Sequence, residues 1–220
     1  MAIDDQEEYE QGEKVRIWLR NNGGSMIGGI AVGLSLILGW QWWQRKQELH
    51  AEEAANAYTV VTRAIDQAGD EKRIGVLYQG VRTNYPNTTY ASLAALRLAA
   101  HQMDRGDAKA ALATLEAMGP VSDTALADVA RMREARLLLI LGRPADALLR
   151  VALIKDDAYG SVTEEIRGDA EHALGHDEAA RGHYASALIK LPKEAPGRAL
   201  LEMKLSEVGG AATKTEAKKA

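Results

Sequence analysis

Cysteine and phenylalanine are both absent from this 220-residue sequence, and proline occurs only five times. Without cysteine there is no disulfide, no zinc–thiolate site and no thiol nucleophile. The compartment stays open on that ground, because cysteine-free chains are common in the cytosol and the periplasm alike. Scarce proline beside abundant Ala, Leu, Glu, Arg and Lys leaves a local preference for helix almost everywhere, so the predicted fold class is all-α. Lysines and arginines nowhere cluster with interleaved aromatics, which sets nucleic acid aside as a partner. There is no glycine-rich phosphate loop and no GxSxG turn, and Ser161 and Ser186 stand in no recognisable motif. Neither an enzyme nor a cofactor is therefore expected. Carboxylate pairs such as Glu52 with Glu53 and Glu164 with Glu165 read as solvated helix faces.

The net charge of -4 is unevenly placed. Residues 1–22 hold Asp4, Asp5, Glu7, Glu8, Glu10 and Glu13 against Lys14, Arg16 and Arg20, so this segment alone contributes -3. From Asn21 to Gln44 no side chain is ionisable. As a helix, Gly23 to Gln44 would run about 33 Å, the thickness of a bilayer core. Met26 to Trp40 is mostly Ile, Val, Leu, Gly and Ala, bracketed by Arg20 on one side and Arg45 with Lys46 on the other. All four tryptophans, Trp18, Trp40, Trp42 and Trp43, stand at its borders, where an amphipathic ring suits the headgroup level. The stretch is long for a signal peptide and ends in bulky tryptophan where a cleavage site needs small residues. The predicted organisation is a cytoplasmic acidic tail at 1–22, a transmembrane helix at 23–44, a soluble domain at 45–208 and a disordered tail at 209–220. The basic excess before the span places the N-terminus in the cytoplasm and the domain in the periplasm of a single-pass inner-membrane protein. Small residues recur at Gly24 and Gly28, Gly29 and Gly33, and Ala31, Ser35 and Gly39, a spacing that admits close approach of a second membrane helix.

Beyond the span, Ala54, Ala57, Tyr58, Val61, Ile65 and Ala68 fall on one helical face. No proline intervenes between Gly23 and Tyr85, so the membrane helix is expected to run on into the first helix of the domain. Self-similarity follows. Gly106, Gly142 and Gly175 are each followed five residues later by alanine (Ala111, Ala147, Ala180), and Gly69 opens a weaker copy with Ile74 in that place. Nine beyond the glycines stand Tyr78, Leu115, Val151 and Tyr184, and seventeen beyond the first and last stand Pro86 and Pro192. The spacing is close to the ~34 residues of tetratricopeptide repeats. A mechanical reading fits: glycine takes φ > 0 at the end of a first helix, alanine lets the paired helices touch, and proline stops the second. About four such hairpins would stack into a solenoid with a concave surface.

The residues also carry a family likeness. The acidic tail with Trp18 before the span, the Gly39-Trp40 exit, Tyr90-Ala91-Ser92-Leu93-Ala94, Arg167-Gly168-Asp169, Gly175-His176-Asp177-Glu178-Ala179-Ala180-Arg181 and Leu201-Glu202-Met203-Lys204-Leu205 together resemble the YfgM family. Those proteins are ancillary subunits of the SecYEG translocon with a tetratricopeptide-like periplasmic domain. The resemblance implies an inner-membrane protein that associates with SecYEG and with the membrane-anchored periplasmic chaperone PpiD. It also implies help for partly folded clients leaving the channel. No catalytic residues come with it.

Two candidate sites emerge. His172, His176 and His183 lie within twelve residues beside Asp169, Glu171 and Asp177, and imidazoles four apart on one helix can ligate zinc. Gly175, however, is expected to end a helix between the first two, so surface histidines are the preferred reading. The second candidate is a protein-binding groove on the first helices, lined by Met103, Asp104, Arg136, Ile140, Asp169 and His172, whose mixed chemistry suits extended or partly folded chains. The alternative function is a membrane-tethered scaffold that sequesters a signalling protein, served by the acidic tail from Asp4 to Glu13.

Overall fold

The computed structural model describes residues 4–119, 121, 123–155 and 157–210, with the backbone alone at 4–15, 19, 23, 25, 27 and 157. The acidic side chains of the N-terminal tail and residues 211–220 of the C-terminal tail lie outside what is described. Helices follow one another as α1 (Asp4–Asp66), α2 (Glu71–Asn84), α3 (Thr89–Asp104), α4 (Ala108–Glu116), α5 (Thr124–Ile140) and α6 (Pro144–Val151). After a 3-10 turn at Asp157–Tyr159 come α7 (Gly160–Ala173), α8 (Asp177–Lys190) and α9 (Arg198–Glu207). Among the described residues there is no strand, in keeping with an all-helical, tetratricopeptide-like fold. The chain divides into two compact units, Met1–Glu52 and Glu53–Ala220.

In the first unit, Ile30, Val32, Leu34, Leu36, Ile37 and Leu38 are all exposed. At ~100° per residue these positions fall on every side of the helix, so no single apolar stripe exists there. Among the described residues no helix is long and apolar enough to cross a membrane; the transmembrane helix expected at 23–44 includes 23, 25 and 27, whose side chains are not described. At the end of this run the Trp40 and Trp43 rings lie 5.3 Å apart, and Lys46 Nζ stands 5.5 Å from the Trp42 ring. A Cβ added at Gly24, Gly28, Gly29 or Gly33 would meet nothing within 4 Å.

The second unit is a series of hairpins. The last turns of α1 share a core cluster with α2 through Val61, Ile65, Ile74 and Tyr78; α3 pairs with α4, α5 with α6 and α7 with α8, and α9 packs on α8 to close the row. Gly106, Gly142 and Gly175 take φ of +80°, +70° and +80°. In each hairpin the next amide reaches back to close the helix: Asp107 N donates to Gln102 O at 2.9 Å, Arg143 N to Leu138 O at 2.8 Å and His176 N to Glu171 O at 2.9 Å. This paired closure satisfies carbonyls that a helix end would otherwise orphan. Gly209, with φ of +77°, ends α9 in the same way, so the motif recurs once more than the sequence reading counted.

The first hairpin departs from the pattern. Its left-handed residue is Ala68 (φ +49°), and Gly69 occupies the following position, donating to Ala64 O at 2.9 Å. Ala68 is consequently exposed in the turn and does not belong to the apolar face predicted for it. Left-handed conformation costs an L-residue roughly 1–2 kcal/mol, part of which glycine would return through its larger unfolded-state entropy. Ala68→Gly should therefore stabilise the domain by about 0.5–1 kcal/mol in urea unfolding; an unchanged midpoint would show that Ala68 bears no strain.

The remaining repeat positions are core. Ile74, Ala111, Ala147 and Ala180 are fully buried, and so within a few per cent are Tyr78, Leu115, Val151 and Tyr184. Pro144 is the first residue of α6, where its missing N–H costs nothing. Thr88, Asp107 and Asp123 cap α3, α4 and α5 by accepting from Ala91 N, Ala110 N and Leu126 N. One reading of the sequence is corrected here: Glu164 is buried at 9 % exposure, whereas Glu52 and Glu53 are indeed solvated.

Candidate protein-binding surface

Leu96 and Ala99 of α3 and Ala135 and Leu138 of α5 belong to one core cluster, and Arg133 on α5 donates to Leu96 O on α3. Between α3 and α5 opens a cavity of about 300 Å³, floored by Leu115 of α4 and lined by Ala99, Ala100, Met103, Leu137 and Ile140 with Arg133, Arg136 and Asp104 at its edge. Ile140, at the rim of this cavity, is 62 % exposed. Four of the groove residues expected from the sequence, Met103, Asp104, Arg136 and Ile140, thus line one cavity. Asp169 and His172 do not line it.

Asp169 belongs instead to a polar junction that ties α7 to α8 and α9. It accepts from Tyr184 Oη at 2.9 Å and from Lys204 Nζ at 2.8 Å, and Lys204 also donates to Glu165 at 2.8 Å. Burial pushes the Lys204 ammonium down, but its hydrogen bonds to Asp169 and Glu165 outweigh that, and the group is held above the ordinary lysine range. Glu165 is in turn 4.0 Å from Arg136 on α5. Further along, Arg133 Nη1 donates to Leu96 O at 3.1 Å and Arg97 pairs with Asp66. Successive first helices are stitched to one another by polar contacts, with the apolar cavity set into the row.

The three histidines do not converge. His172 Nδ1 is 2.7 Å from Asp177, His176 Nδ1 2.8 Å from Glu171, and His183 Nδ1 2.7 Å from Glu164. His172 lies in α7 and His176 caps α8, on either side of Gly175, so the i, i+4 geometry of a single helix is lost. Among the described residues no three His, Cys, Asp or Glu side chains gather to hold a metal. Ser161 Oγ is committed to Ala187 O at 3.0 Å.

Sequence reading missed the buried carboxylates. Asp128, fully buried, accepts from Arg131 Nη1 at 2.6 Å and from Lys155 N at 3.2 Å, and Glu134 meets Arg150 at 2.9 Å. Burial raises Glu134 above the usual carboxylate range despite Arg150 beside it. Arg131 lies one turn along the same helix as Asp128, but Lys155 and Arg150 come from later segments, so no spacing in the chain announces those contacts.

A family model described as a tetratricopeptide repeat-like domain matches residues 16–210. The chain belongs to that family. Curated relatives of this repeat protein are named ancillary SecYEG translocon subunits, which bears out the likeness to the YfgM family. The Escherichia coli protein is 27% identical over 82% of this chain and 87% of its own length. That of Haemophilus influenzae is 25% identical over 82% and 88%, and that of Neisseria gonorrhoeae 22% identical over 92% and 97%. No solved structure matches. The segments that carried the likeness are structural: Gly168 and Asp169 sit at the α7–α8 contact, Ala94 is fully buried in α3, and Leu201 and Leu205 form the inner face of α9.

Proposed function

We propose that this chain is an ancillary subunit of the Sec translocon, anchored in the inner membrane by residues 23–44, with its repeat domain in the periplasm as a non-catalytic, chaperone-like binding module. The observation that carries the reading is the family-wide match over nearly the whole chain, to relatives that are themselves named for SecYEG. The anchor is supported by apolar side chains exposed on all sides between Ile30 and Leu38, a distribution that water does not tolerate and lipid does. The orientation is supported by Lys14, Arg16 and Arg20 against Arg45 and Lys46. Its partners in this reading are SecYEG, the chaperone PpiD, the lipid bilayer and unfolded or partly folded clients. The cavity between α3 and α5 offers those clients a surface.

Site-specific photo-crosslinking in cells tests this. A probe in place of Ile140 should give adducts with translocon subunits or emerging chains, and protease added to spheroplasts should digest the domain. Adducts with a cytoplasmic regulator, formed from a probe in the acidic tail, would favour the sequestering scaffold instead. If the glycines of the span form a packing face, Gly29→Leu with Gly33→Leu should keep membrane insertion yet lower co-purification with SecYEG several-fold, since lipid supplies no hydrophobic drive to replace lost backbone contact. Undiminished co-purification would move the docking contact to the repeat domain.

A further inference from the structure

The cavity between α3 and α5 has a chemistry more particular than a general sticky groove. Its walls are Ala99, Ala100, Met103, Leu137 and Ile140, and its edge carries two cations, Arg133 and Arg136, against one anion, Asp104. Several arginines of the domain are closely matched by carboxylates: Arg131 with Asp128 at 2.6 Å, Arg143 with Asp146 at 2.7 Å, Arg167 with Glu164 at 2.8 Å and Arg150 with Glu134 at 2.9 Å. At the cavity the matching is looser. Arg133 commits one of its five N–H donors to a backbone carbonyl, Leu96 O, and Arg136 stands 4.0 Å from Glu165 with its side chain half exposed. Guanidinium donors therefore face the solvent beside an apolar hollow.

Volume narrows the occupant. At about 300 Å³ the hollow is at the lower limit of sites that engulf a drug-sized ligand, and it suits one or two large side chains of an extended strand. Met103 and Ile140 give it an adaptable wall, because an unbranched thioether fills irregular gaps. Charge then decides the neighbour: a carboxylate next to the apolar anchor meets Arg136 and Arg133, whereas a lysine there meets like charge.

Resting on the client-binding reading above, we infer that this cavity selects extended client segments in which a large aliphatic residue is flanked by an aspartate or glutamate. The aliphatic side chain enters between Met103 and Ile140, and the carboxylate pairs with Arg136 at the edge. Clients rich in basic residues beside their apolar anchors are discriminated against.

Methyl NMR on the full chain in nanodiscs, with 13C-labelled methionine methyls, reads weak binding at this place. Short Gly/Ser peptides carrying Asp-Leu, Lys-Leu or Asp-Ser pairs are the probes. The Asp-Leu peptide should shift the Met103 signal and leave Met203, on α9, unmoved. It should bind about fivefold tighter than Lys-Leu, the scale of one exposed ion pair, and Asp-Ser should produce no shift. Arg136→Glu, at an exposed position, should reverse the preference in favour of Lys-Leu, and Ile140→Ser should weaken both. Equal binding of the two leucine peptides, or a preference unmoved by Arg136→Glu, would overturn the inference. Suppression of aggregation of a reduced, unfolded protein by the same sample separates the two levels. If it persists while Met103 stays still, the cavity assignment fails and client binding stands; if it is absent as well, both fail.

Discussion

Gly168→Ala is expected to destabilise the repeat domain by about 1–2 kcal/mol, the reverse of what an alanine usually does in a helix. Glycine inside a helix costs roughly 0.5–1 kcal/mol relative to alanine, so on propensity alone the substitution should stabilise α7. Packing opposes it. A Cβ on Gly168 would lie 2.5 Å from Tyr184 Cε1 and 2.6 Å from Cδ1. The ring has nowhere to go, since Tyr184 is 2 % exposed and its hydroxyl donates to Asp169 at 2.9 Å. Burial and that hydrogen bond keep the phenol far above its ordinary range, so it remains a donor at any physiological pH. Overpacking of this kind costs about 1–3 kcal/mol, which outweighs the propensity gain. Gly182→Ala in α8 is the control: nothing stands within 4 Å of its Cβ position, so propensity acts unopposed and stability should rise by about 0.5–1 kcal/mol. Opposite shifts of the denaturation midpoint for the two variants are the expected result. If both rise, the α7–α8 contact is looser than these distances show.

The same contact marks the limit of what the sequence reveals. Glycine-to-alanine spacing located the hairpin turns and the tightest core positions because φ > 0 and close approach each admit few residue types. Ala68 escaped because the first turn satisfies the backbone with the glycine one place later, trading a small strain for the same hydrogen bonds. Four groove residues fell together because the first-helix register was right near Gly106 and Gly142. It failed to anticipate Asp169, whose role is set by Tyr184 and Lys204, fifteen and thirty-five residues away. Cross-helix partners such as Lys155 N for Asp128 leave no periodic trace, and a carboxylate at a helix surface looks solvated until its neighbour is placed.

Glu164→Ala should cost about 2–3 kcal/mol, and the loss should vanish in acid. Glu164 is buried, yet His183 Nδ1 lies 2.7 Å away, Arg167 Nη1 2.8 Å and Lys190 Nζ 3.5 Å. Breaking a fully buried pair costs roughly 3–5 kcal/mol, but these three partners are a third to a half exposed, and water screens what remains. Burial alone would push the Glu164 carboxyl up; the His183 hydrogen bond and the charges of Arg167, His183 and Lys190 more than reverse this and hold it below 4.5. A depressed carboxylate pKa means the unfolded chain takes up the proton first as pH falls. The stabilisation is therefore complete above about pH 5, declines below 4.5, and is gone once pH drops through the folded value. Wild type and Glu164→Ala should then differ most at neutral pH and converge in acid, while Glu164→Gln, which keeps an acceptor for His183, should lie between them at pH 7. Thermal or urea unfolding across this range provides the measurement. A gap between wild type and Glu164→Ala that stays constant from pH 7 to pH 3 would mean that lost packing, with no contribution from charge, accounts for the effect, and that the cluster around His183 is held together by shape alone.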